Sequence, residues 1–112
     1  MASTPVKTFD EYQAAATTVP LSLRNNRDRI DLSVIELQQE AGKVGSLFTA
    51  AFSSGKFILT DEQRLEIKDR LSDVLWCVSL LCTETGSSTG DLATHSISRL
   101  NARMAEFDPD QR

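Results

Sequence analysis

Three stretches of this chain space their apolar residues alternately three and four apart. In the first, Val34, Leu37, Ala41, Val44, Phe48 and Ala51 recur at intervals of 3, 4, 3, 4 and 3. In the second, Leu71, Val74 with Leu75, Val78, and Leu81 with Cys82 keep the same rhythm, and in the third Ala93, Ile97, Leu100, Met104 and Phe107 do so. A stripe of this period lies along one face of an α-helix, and a strand, with period two, would scatter it over both faces. No segment alternates convincingly enough to be read as a strand, so the chain is all-α.

The helix ends carry their own signals. Thr8-Phe9-Asp10-Glu11 reads as a capping box opening a short helix over about 9–18, stopped by Pro20. A polar connection over 19–28 leads to a second helix at about 29–53, with Gly55 suited to its stop. Phe57, Ile58 and Leu59 read as an apolar connector packed on the bundle. Thr60-Asp61-Glu62-Gln63 is a second capping box, opening a third helix at about 61–84 with acids where the helix dipole favours them. Gly86 ends it, and Ser87, Ser88 and Thr89 offer N-caps for a fourth helix over about 90–106. Residues 1–7 read as a polar leader, 8–107 as one helical domain and 108–112 as a tail. Gly42 and Gly45 sit mid-helix at a cost in stability, which points to close helix approach. The apolar stripes are wide for 112 residues, and that predicts burial against a second copy, as a homodimer or homotetramer.

The charge balance narrows the function. A net charge of −4 argues against a general nucleic-acid binder, which would show a basic stripe. Cys77 and Cys82 point about 140° apart on a helix, which suits core thiols rather than a bridge. His95, with no second histidine or cysteine nearby, argues against a zinc site. No apolar run approaches a membrane span, and Met1 to Lys7 lacks the apolar stretch of a signal peptide. The expected location is cytoplasmic, without a membrane partner.

Two windows concentrate charge on a helical face: Glu40-Ala41-Gly42-Lys43 and Arg70-Leu71-Ser72-Asp73. Each pairs an acid with a base three residues away. Thr8-Phe9-Asp10-Glu11-Tyr12-Gln13 resembles the opening of MazG-like nucleotide pyrophosphohydrolases. Leu37 to Val44 (LQQEAGKV) resembles their first acidic helix, Leu71-Ser72-Asp73-Val74-Leu75-Trp76 their second, and Asp91 to Met104 their last. The likeness spans about residues 8–107 and rests on the order and spacing of these blocks. It implies a four-helix bundle completed by dimerisation and an activity that removes pyrophosphate from a nucleoside triphosphate. It also implies magnesium held by an E-x-x-E on one helix and an E-x-x-D on the next.

Mapped by position, Glu40 and Asp73 match, whereas Lys43 and Arg70 stand where acids are expected. Ser96 and Arg99 fall where the family often has Asn and Lys. Trp76 takes the place of an aromatic near the pocket or dimer core, and Tyr12 faces either the bundle or a pocket. A quartet of two acids and two bases sums to zero and satisfies itself. Opposite charges at about 4 Å attract by about 4 kcal/mol at an effective dielectric near 20, before desolvation. Cross-helix pairs Glu40–Arg70 and Lys43–Asp73 are therefore expected to stand in for the metal. Three readings remain open. Catalysis is lost or weak and the bundle binds nucleotide or phosphate, through Lys43, Arg70 and Arg99. Alternatively a relocated magnesium set, drawn from Glu36, Glu40, Asp69 and Asp73, keeps the enzyme active. In the third, the chain is a structural interaction protein with no ligand.

Overall fold

In the computed structural model, residues 5–16, 26–53, 55 and 58–107 are described. They form four helices in chain order: α1 (Phe9–Ala16), α2 (Asn26–Phe52), α3 (Asp61–Glu84) and α4 (Thr89–Glu106). Among the described residues there is no strand. The described residues are all-α, in four helices, as the spacing and caps predict. No described helix is long and apolar enough to cross a membrane.

The predicted termini of α3 are met because its caps are local chemistry. The Gln63 N–H donates to Thr60 Oγ1 at 3.1 Å, and the Thr60 N–H donates to Gln63 Oε1 at 2.8 Å. The box at α1 closes differently. The Glu11 N–H donates to Thr8 Oγ1 at 3.0 Å, but Glu11 Oε2 accepts from the Lys7 N–H rather than from Thr8. α1 ends at Ala16, and the predicted residues 17–20 lie outside the described ones. α2 begins three residues earlier than expected, at Asn26. Gly55 and Gly86 both take positive φ, 77° and 76°, in the turns after α2 and α3, a conformation that costs glycine least. Ser88 caps α4 by accepting from the Asp91 N–H at 3.0 Å.

α2 and α3 form an antiparallel hairpin that is the backbone of the fold. Its register can be read from three side-chain approaches: Arg29 to Glu84, Glu36 to Cys77, and Glu40 to Arg70. From the first pair to the second, α2 advances seven residues and α3 recedes seven; at the third, the long Arg70 side chain reaches Glu40 across an offset. At α1's end of the molecule the hairpin receives α1 and the start of α4. The buried apolar residues are Ala51, Ile67, Cys77, Leu80 and Cys82, joined by Ser33, Ser79 and Thr89. Of these only Ala51 and Cys82 belong to the predicted stripes, and the stripe residues Val34 and Leu71 are exposed instead.

Of the predicted apolar connector, Ile58 is exposed rather than packed on the bundle and Leu59 is half-buried; Phe57 lies outside the described residues. Gly42 and Gly45 have no atom within 4 Å of a Cβ built on either, so no described helix approaches them. The α4 stripe has the predicted period but is not covered: Ile97, Leu100, Met104 and Phe107 are 58%, 48%, 70% and 73% exposed. The radius of gyration, 17.5 Å, exceeds the about 13 Å of a compact domain of this length. α4 leans on the hairpin only near its start.

Candidate functional site

The site grows from the middle of the hairpin. α2 presents Glu36 and Glu40 one turn apart, and α3 presents Arg70, Asp73 and Cys77 at the matching level. Glu40, with its side chain 13% exposed, is the centre of an ion-pair cluster. Lys43 Nζ lies 3.2 Å from Oε1, and Arg70 Nη1 lies 3.4 Å from Oε2. Each oxygen of one carboxylate thus holds one cation. The expected Glu40–Arg70 pair is present. The expected Lys43–Asp73 pair is replaced by Lys43–Glu40, because a lysine three residues along a helix reaches its own neighbour without any interhelical alignment.

Partial burial pushes the Glu40 carboxyl upward, but hydrogen bonds and charge from Lys43 and Arg70 outweigh it. The net result is a pKa below the ordinary carboxylate range. Glu40 is therefore held ionised by cations already in place.

Behind it sits Cys77, with no exposed surface. Its Sγ lies 4.0 Å from Glu36 Oε2. Burial first, then the charges of Glu36, Asp73 and Glu40, push the thiol up to about 11. Three carboxylates thus bear on one sulfur. On α1, the Tyr12 hydroxyl is raised by partial burial first, then by the charges of Cys77 and Asp73. Both cysteines are free.

A pH dependence follows from Cys77. Its pKa is higher folded (about 11) than the ordinary 9.0, so above pH 9 the unfolded chain sheds a proton that the folded chain keeps. The unfolded state is then favoured, and stability falls as pH rises from 9 toward 11. Tyr12 acts in the same direction. Thermal melting followed across pH 8–11 is expected to show this loss, with a shallower slope in Cys77→Ala. Equal slopes would refute the assignment.

The remaining sequence candidates scatter. Asp69 and Asp73 are exposed on α3, and Trp76 is half-buried there. Ser96 and Arg99 line a different feature, a groove of about 700 Å³ between α4, α3 and α1, with Leu75, Val78 and Phe9. His95 is exposed on the same groove. The structure thus gathers Glu40, Lys43 and Arg70 into one ion-pair cluster and brings Glu36 to Cys77, but leaves Ser96 and Arg99 on the groove beside α4.

Magnesium asks for several oxygen ligands that converge. Among the described residues, no group of three His, Cys, Asp or Glu side chains is arranged to hold a metal ion. Glu40, the central carboxylate, already spends both oxygens on cations. The residues as placed do not fit the ion that the resemblance implies.

Sequence reasoning weighed Tyr12 only as a bundle or pocket residue and Cys77 as a core thiol. It gave Gln13 no role beyond its place in the opening block. Gln13 Oε1 accepts from the Thr89 N–H and hydroxyl, 76 residues away, and no spacing rule reaches that far. No protein-family model matches the chain, and comparison with curated proteins and with solved structures finds no significant match.

Proposed function

We propose that this chain is a MazG-like helical protein whose metal quartet has become an internal ion-pair cluster. On this reading pyrophosphohydrolysis is lost or very weak, and nucleotide or phosphate binding is what remains. One observation carries it: Lys43 and Arg70 both engage Glu40, at 3.2 and 3.4 Å. That arrangement neutralises the carboxylate a metal would need. It also holds two cations at one place, where arginine can fork onto a phosphate and lysine can act as a point charge. Lys43 is half exposed and Arg70 about a third, so an incoming anion can compete with Glu40 for either. Arg99, on the groove beside α4, is not part of this cluster.

The uncovered α4 face supports a second part of the reading. A row of apolar side chains on one helix face, backed by the groove that Leu75 and Val78 line, is the surface a second copy would bury. The same face favours the competing reading, a structural interaction protein with no ligand.

Incubation with a panel of nucleoside triphosphates, with and without magnesium, separates the readings. The expected result is pyrophosphate release at the level of a protein-free blank, together with calorimetric binding that Lys43→Ala and Arg70→Ala both weaken. Robust release abolished by Asp73→Ala would establish an active enzyme. Absence of any triphosphate binding would favour the structural reading.

A further inference from the structure

Helix α4 is fastened to the rest of the molecule at its beginning. The Thr89 N–H and hydroxyl donate to Gln13 Oε1 at 2.5 and 2.8 Å, and the Thr89 hydroxyl also lies 3.0 Å from Ser79 Oγ. The Gly90 N–H donates to Asp10 Oδ1 at 3.2 Å. Thr89 is the buried residue of the helix. Further along, α4 stands off from α3, and the space left between them is the groove of about 700 Å³. That volume suits a small organic molecule.

The walls of this groove have two characters. Phe9 from α1, Leu75 and Val78 from α3, and Leu92 and Leu100 from α4 make it apolar. Arg99 and Arg103, one turn apart on α4, add two cations. No described Asp or Glu lines it, although the chain has 16 acids against 12 bases. Arg27, Arg29 and Arg70 each hold a carboxylate. Arg99 and Arg103 make no ion pair among the described residues. Two guanidinium groups without a counter-charge, set beside an apolar wall, complement a molecule that carries a carboxylate on a hydrocarbon. The planar fork of arginine pairs with a carboxylate through two parallel hydrogen bonds, and the wall removes the hydrocarbon from water.

We propose that the groove between α4, α3 and α1 binds a medium-chain alkyl carboxylate, with its tail along Leu75, Val78 and Leu92 and its head on Arg99 and Arg103. The order of residues along α4 sets the direction. Leu92 lies near the fastened end, and the arginines follow about 10 to 17 Å further along the helix. The tail therefore enters first and the charged head stays near solvent. Met104 and Phe107, the most exposed residues of the apolar stripe, do not line the groove, so a second copy that meets α4 through them leaves the site open. The inference is independent of the Glu40 cluster, which shares no residue with this groove.

Calorimetry of the full chain with decanoate, below its micellar concentration, tests the site. Saturable binding is expected, tightening about threefold for each methylene added between hexanoate and decanoate. 1-Decanol should bind at least about tenfold more weakly, and decyltrimethylammonium more weakly still. Arg99→Gln with Arg103→Gln should weaken decanoate at least about tenfold and leave decanol unchanged. Ser96 is exposed and lines the groove. Ser96→Trp therefore fills the space without disturbing a buried position, and it should abolish binding of both molecules while helix content by circular dichroism stays native. Decanoate binding that survives Ser96→Trp, or that the cationic amphiphile equals, would overturn the site. So would the absence of saturable binding. Binding confined to anionic vesicles, or to an acidic amphipathic peptide, would overturn it as well and assign the α4 face to a lipid surface or a protein partner.

Discussion

Lys43→Glu combined with Arg70→Glu is expected to make the folded protein depend on a divalent cation. The native cluster is electrically self-sufficient, since the Glu40 oxygens hold Lys43 and Arg70 at 3.2 and 3.4 Å. Reversing both cations leaves a set of carboxylates on facing helices, beside Glu36 and Asp73 and around a thiol that burial and these acids already hold up at about 11. Like charges gathered there repel, and the fold loosens unless a counter-ion enters. Magnesium meets the requirement, and ligand linkage sets the scale. At free magnesium about 100 times its Kd the gain is about 2.7 kcal/mol, or about 10–20 °C in melting temperature for a domain of this size. Calorimetric melting of both proteins in chelator and in magnesium measures the difference. The native chain should show little shift. A native chain that gains as much from magnesium as the double variant would refute the ion-pair replacement. Pyrophosphate release by the double variant would show further that only ligand charge separates this chain from an active enzyme.

The second large effect concerns α4. If a second copy covers its apolar face, as proposed, Leu100→Glu with Met104→Glu should abolish association. Both residues are exposed in the single chain, at 48% and 70%, so a glutamate at either place is solvated and the monomer keeps its fold. In a symmetric pair each substitution occurs twice. Losing about 1.5 kcal/mol for each of four buried side chains removes about 6 kcal/mol, about four decades in Kd. Sedimentation velocity over a range of concentrations should find the native chain associated and the variant monomeric, with equal helix content by circular dichroism. A native chain that stays monomeric at high micromolar concentration would refute the interface.

These two effects rest on different kinds of legibility. The helix content, the capping box at Thr60 and the span of α3 are written locally. A hydroxyl accepts from an amide three residues on, and that geometry needs nothing from the remainder of the chain. The apolar period of α4 is equally local, and it is present as read. Its burial is not local. A stripe announces which side of a helix avoids water, and leaves open whether this chain or another supplies the cover.

The charged windows divide in the same way. Residues 40, 43, 70 and 73 each sit on a helical face by virtue of spacing, and Glu40 with Arg70 meet as their signs suggest. Lys43 had two acids to choose from and took Glu40, its neighbour three residues back on the same helix, while Asp73 stays exposed. Gly42 and Gly45 show the converse: glycine in mid-helix suggests a close neighbour, yet no described residue approaches either.

By itself the sequence determined what depends on a few consecutive residues: the helices, the caps of α3 and α4, and the face that carries Glu40 with Lys43. Only the tertiary structure decided which apolar residues are buried, the Glu40–Arg70 pair, the sealing of Cys77, and the seat of Gln13 on residues 70 to 76 positions away. The physical reason is range. Helical hydrogen bonds link residues three or four apart, whereas ion pairing and burial depend on how whole helices align, and an alignment is a property of all their side chains at once.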